Sequence, residues 1–200
     1  MKAANVDDVY NLSPMQRGVL FHTLYAPSAG VYFHQAAFEL QGELDHAAFE
    51  GAWQRVIERN PVLRTSFQWE DMDKPVQIVH HQVAVPLEKL DWSDVPADEQ
   101  EKRLQAYLQA DRDRGVKLDQ APLMRLALIR TAPDAHFCVW SHHHLILDGW
   151  SVPLVLKEVI TCYEAQRRGV KAPLPPTRPY RDYIAWLRQQ DLAKAEAFWR

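Results

Sequence analysis

The sequence predicts an α+β fold, and three observations carry that expectation. Helical and strand-like patterns are interspersed along the 200 residues. Two runs, Leu123 to Arg130 and His136 to His142, are continuous enough in apolar residues to be central strands. A hydrophobic content of 47% supports one packed core, and the length argues against two independent catalytic domains.

Ser13, Pro14 and Gln16 open the first helix: the hydroxyl caps, proline fits the first turn, and glutamine reaches back as in a capping box. That helix should run from Pro14 to about Tyr25. Residues Ala26 to Gly30 break it, and Val31 to Leu40 should form a strand ending at Gly42. Asp45 caps the next helix, where Phe49, Trp53, Val56 and Ile57 make one apolar stripe that stops before Pro61. Leu63 to Trp69 and Val76 to Val79 flank the polar turn Glu70 to Lys74 as a hairpin. A helix from about Ala97 to Arg114 is closed by Gly115, and after the two apolar strands a further helix runs from Ser151 to Arg168. Ala172 to Pro179 holds four prolines in eight residues, a stiff connector. From Tyr180 a helical pattern resumes and reaches Phe198, Trp199 and Arg200 without a stop signal. The expected core is therefore about 10–171, the connector 172–179, and the start of another helix 180–200.

A net charge of −3 leaves no basic surplus for phosphates, which excludes nucleic acid as a partner; the cluster Arg167, Arg168 and Lys171 is expected to be a solvated helix end. Cys138 and Cys162 lie in apolar stretches with no partner at metal spacing, as buried thiols in a reducing compartment do. Lys2 and the polar residues after it give no apolar signal core, and no run approaches the ~18 apolar residues of a membrane span. The expected location is the cytoplasm.

The chemistry concentrates in Ser141 to Ser151, where three of the nine histidines follow one another at the end of a buried strand, with Asp148 and Gly149 close behind. A single histidine there would be a satisfied core imidazole, and Asp-Gly a turn dipeptide. Three in succession favour a functional site. Metal binding competes, but neither HExxH nor a cysteine pair is present, and His80 and His81 fall in an expected surface loop. Trp53, Trp140 and Trp150 are expected in the core or along a tunnel wall.

His143, His144, Asp148 and Gly149 match the HHxxxDG motif of nonribosomal peptide synthetase condensation domains and of the related chloramphenicol acetyltransferases. Ser13 to Phe21 (SPMQRGVLF) resembles that family's first core motif. Arg59 to Phe67 (RNPVLRTSF) is similar to the second, with Asn60 and Pro61 where His and Glu are commoner. Tyr180 to Trp186 (YRDYIAW) resembles the fourth. The resemblance implies the N-terminal lobe, over 1–200, of a two-lobed domain: a chloramphenicol acetyltransferase-like two-layer sandwich whose sheet has helices packed on one face, the other meeting the missing lobe.

It further implies amide formation between a donor acyl thioester and the amine of an acceptor aminoacyl thioester. Both are carried on phosphopantetheine of carrier proteins, with no intrinsic cofactor and no metal. Partners would be the two carriers, the missing C-terminal lobe and neighbouring synthetase domains. His144 would orient the attacking amine, and Gly149 could offer its amide to an oxyanion. His143 would be structural, and Asp148 would be a buried carboxylate paired with Arg64. Two rival readings remain: a stand-alone trimeric acyltransferase, and a non-catalytic lobe that only binds carriers.

Overall fold

The computed structural model describes residues 5–199, so Met1, Lys2 and Arg200 lie outside it. The elements run β1 (Val6–Asn11), α1 (Pro14–Tyr25), β2 (Phe33–Gln41), α2 (His46–Arg59), β3 (Thr65–Gln68), β4 (Val76–His80), β5 (Leu87–Asp91), α3 (Ala97–Arg114), β6 (Met124–Ala132), β7 (Ala135–His143), α4 (Ser151–Arg167), α5 (Tyr180–Leu187) and α6 (Leu192–Trp199). The expected α+β class holds. The strands form two sheets: one ordered β2-β7-β6-β5, the other β1-β4-β3.

In the larger sheet β7 is central, antiparallel to both β2 and β6, while β5 joins the far edge in parallel. Alternation along β6 and β7 sends Leu126, Leu128, Cys138 and Trp140 into one core with Phe49, Trp53 and Val56 of α2 and Val155, Val159 and Cys162 of α4. Trp53 meets Trp140 edge-on, ring centroids 5.1 Å apart, which adds about 0.5–1.5 kcal/mol beyond burial. The opposite face is not bare: Leu104 of α3 packs there on Ala127, Ile129 and Val139.

Local chemistry sets the helix ends. The Ser13 hydroxyl accepts from the Gln16 amide at 3.1 Å while the Gln16 side chain accepts from the Ser13 amide at 3.0 Å, the expected capping box. Asp45 accepts from the Ala48 amide at 2.9 Å and starts α2. Gly115 ends α3 with φ of +57°, a conformation that only glycine adopts freely.

α3 is held to the sheet by a buried carboxylate. Asp111, 2% exposed, accepts from Arg125 Nε, from Arg114 at 2.8 Å, from Ser141 Oγ at 2.5 Å and from Gln35 at 2.7 Å. Burial alone would raise its pKa, but the hydrogen bonds from Arg125, Ser141 and Arg114 bring it down to about 2.

Two strands escaped the sequence reading. β1 lies before Ser13, where no element was expected, and its Val6 and Val9 face solvent, so it lacks the apolar run that marks a buried strand. β5 (LEKLD) is a short edge strand with two charged residues in succession. His80 ends β4 instead of lying in a loop. The connector is pinned beside α2, where Arg59 donates to the Pro175 carbonyl and Thr177 to the Arg59 carbonyl. The helical pattern after it is interrupted between α5 and α6. Both cysteines are buried and free. Among the described residues no helix is long and apolar enough to cross a membrane.

Candidate active site

β7 delivers the histidine run. The β2–β7 register sets Phe33 opposite His143 and His34 opposite His142. Alternation then sends His142 to the Trp140 side, where the two rings lie 4.8 Å apart, and His143 to the α1 side. His144 follows the last strand residue, and its amide donates to the Tyr32 carbonyl at 2.9 Å, which carries the chain out of the sheet.

His143 is buried, and its proton position follows from its neighbours. The Leu145 amide donates to Nδ1 at 3.1 Å, and Thr23 Oγ1, already donating to the Val19 carbonyl, lies 3.4 Å from Nε2. Nε2 therefore carries the hydrogen and the ring is neutral. Burial, and then the neighbouring His144, pushes its pKa down to about 4.

His144 differs on each count. It is only partly buried, and its Nδ1 lies 3.1 Å from the Leu147 carbonyl, a group that can only accept. Nδ1 is therefore the protonated nitrogen, and in the neutral ring Nε2 is a bare acceptor. The ring is not sealed in apolar packing: it meets His34 edge-on at 4.3 Å and Tyr32 at 6.2 Å between centroids.

The loop from His144 to Asp148 is anchored from below. Gln16 Nε2 donates to the Leu145 carbonyl at 3.0 Å, and the Gln16 and Gln77 side chains bond one another at 3.0 and 3.2 Å. Gln77 also donates to the Asn11 carbonyl at 3.1 Å, and Tyr180 Oη lies 3.4 Å from Ser13 Oγ. Residues of the first and fourth motifs, distant in sequence, thus converge with Gln77 beneath the loop of the histidine motif.

The expected pairing of Asp148 with Arg64 does not occur. Asp148 is exposed and accepts from the Ser151 amide at 2.8 Å and the Ser151 hydroxyl at 2.6 Å, closing the turn that leads into α4. Those bonds lower its pKa. Arg64 belongs to the turn entering the smaller sheet, so its guanidinium meets Asp7 of β1 at 2.8 Å and the carbonyls of His80 and His81. A carboxylate satisfied locally needs no buried cation. Gly149 is exposed, with open space where a side chain would stand. Trp150 is 86% exposed and belongs to no core, unlike Trp53 and Trp140.

Sequence reasoning missed His34 and Tyr32. Nothing local marks them, because only the β2–β7 register brings them to the motif. It also missed a cleft of about 1010 Å³ beside α1, walled by Phe21, Tyr25, Tyr32, Trp69, Arg114 and His143. Among the described residues no group of three or more metal-ligating side chains is assembled.

The family model described as "Condensation domain" matches residues 6–200. One of the linear gramicidin synthase chains of Brevibacillus parabrevis is 46% identical over 196 residues, covering 98% of this chain and 2% of that protein. Bacitracin synthase 3 of Bacillus licheniformis is 37% identical over 199 residues, covering 100% of this chain and 3% of that protein. The crystal structure of the starter condensation domain of rhizomide synthetase superposes with a TM-score of 0.83 at 27% identity, over 96% of this chain and 49% of that one. A variant of that domain in complex with C8-CoA and Leu-SNAC gives 0.84 at 27% identity, over 96% and 44%. The chain spans about half the length of these solved domains and a small part of the synthetases. With its histidine motif at a strand end and its sequence matched from Val6 onward, the chain belongs to the condensation-domain family.

Proposed function

We propose that this chain supplies the histidine half of a site that joins a donor acyl group to the amine of an acceptor aminoacyl group in nonribosomal peptide synthesis. Carrier proteins present both as phosphopantetheine thioesters. The observation that carries the reading is the Nδ1–H bond from His144 to the Leu147 carbonyl, which leaves Nε2 as an acceptor on a partly exposed ring. The presence of C8-CoA and Leu-SNAC together in the rhizomide domain supports it.

An amine attacking a thioester passes through a tetrahedral intermediate with a negative oxygen and a positive nitrogen. An α-amino group with a pKa of about 7.7–8.0 is roughly a quarter neutral near pH 7.4, so deprotonating it beforehand is worth less than ~1 kcal/mol. Fixing two tethered reactants in line is worth roughly 7–11 kcal/mol, and one oxyanion donor roughly 3–4 kcal/mol. Positioning therefore outweighs basicity. In this reading Nε2 of His144 accepts a hydrogen bond from the amine, orients its lone pair, and takes a proton once the bond has formed. The departing thiolate recovers a proton, so none is gained or lost overall. The Gly149 amide is the candidate donor to the oxyanion, His143 fixes the strand end, and Asp148 closes the turn before α4.

The second lobe would close the cleft, so the chain alone is expected to be inactive, and its place of work is the cytoplasm. The test is His144→Ala in the synthetase that carries this segment, followed by dipeptide release. Most product should be lost; wild-type rates with every donor tried would refute the role.

A further inference from the structure

A side chain holds its catalytic geometry only if its remaining torsions are pinned, and imidazole is broad in χ2. In His144 the Leu147 carbonyl fixes one edge of the ring, through a single bond supplied by the same loop. The second constraint comes from β2. His34 stands 4.3 Å from His144 between centroids at an interplanar angle of 87°. Its own place is set by the ladder, opposite His142, whose ring it stacks at 5.5 Å.

We propose that His34 is a positioning residue for the condensation step, its ring packed against His144 so that Nε2 keeps one direction toward the incoming amine. The inference rests on the function proposed for His144. His34 is exposed, so the core does not demand an imidazole at this position. Although the residue is exposed, the partial desolvation of its ring against His142 and His144, and then the charge of His144, hold its pKa below the ordinary value, so the neutral form predominates at neutral pH. A neutral aromatic ring can remain in contact with His144 when that residue takes up a proton, through cation–π attraction. A positively charged side chain there would oppose the same step.

The experiment compares His34→Ala, His34→Phe and His144→Ala in the synthetase that carries this segment, measuring kcat and the KM for each carrier. His34→Ala should lower kcat on the order of ten- to a hundredfold, the range expected for a misplaced reacting group, with both KM values and the melting temperature unchanged. His34→Phe, which keeps the ring contact and cannot titrate, should recover most of the rate. Wild-type kcat in His34→Ala beside an inactive His144→Ala overturns the inference and leaves the function proposed for His144 standing. Equal losses in the Ala and Phe variants also overturn it, because the ring contact would then not be the cause. Full activity in His144→Ala removes both readings.

Discussion

Acidification should weaken this fold well before its carboxylates protonate. His142 and His143 are each 3% exposed, and both pKa values are pushed down to about 4. Burial is the main cause for each. Repulsion from neighbouring histidines follows: His34, His144 and His143 for His142, and His144 for His143. In the unfolded chain the same imidazoles titrate near 6.5. Between those limits the unfolded state binds protons that the folded state refuses, so stability falls as pH drops from about 6.5 and levels off near 4. Integrating one such shift gives a loss of about 2 kcal/mol between pH 7 and pH 5. The shift of His142 already contains repulsion from its neighbour, so the pair should lose about 2–4 kcal/mol together. That is a large part of the roughly 5–15 kcal/mol typical of a domain. His34, His80 and His136 shift in the same direction and steepen the slope. Asp7, Asp111 and Asp148 have lowered pKa values, so their contributions persist until the pH falls below about 4, a separate window. Urea unfolding at pH 7, 6 and 5 measures the slope, and His142→Phe should flatten it. A urea midpoint unchanged between pH 7 and pH 5 would refute the reasoning.

Two substitutions probe the ion-pair assignments. Asp111→Ala leaves Arg125 and Ser141 without their buried acceptor and should cost roughly 3–5 kcal/mol in thermal or urea unfolding; a loss under about 1 kcal/mol would show that the carboxylate does not hold α3 to the sheet. Asp148→Ala removes only exposed hydrogen bonds to Ser151 and should stay soluble at a cost of about 1 kcal/mol by calorimetry, whereas a loss of about 3 kcal/mol or more would revive the buried pair with an arginine.

The first three helices were legible because each carries its own boundary chemistry: Ser13 with Gln16, Asp45 before α2, Gly115 after α3. The central strands were legible from unbroken apolar runs. β1 and β5 were not, because an edge strand with exposed or charged side chains has no pattern distinct from a loop. At the site, the sequence singled out His144 and assigned His143 a supporting part. The partner of Asp148 was misjudged because the resemblance supplied a buried ion pair, whereas here Ser151 satisfies the carboxylate three residues along the chain. The contact of His34 with His144 depends on strand pairing between positions 110 apart, which no local window reveals.

The hydrogen bonds under the motif loop run through Gln16 and Gln77 to the Asn11 carbonyl, at the end of the strand nearest the amino terminus. Asp7 of that strand also clamps Arg64. Trimming the chain back to Ser13 would spare every histidine and still withdraw an anchor of the loop that carries His144. The residues of β1, Val6–Asn11, thus reach the loop that carries His144 through hydrogen bonds, and anyone grafting this segment into another synthetase should choose the seam upstream of them.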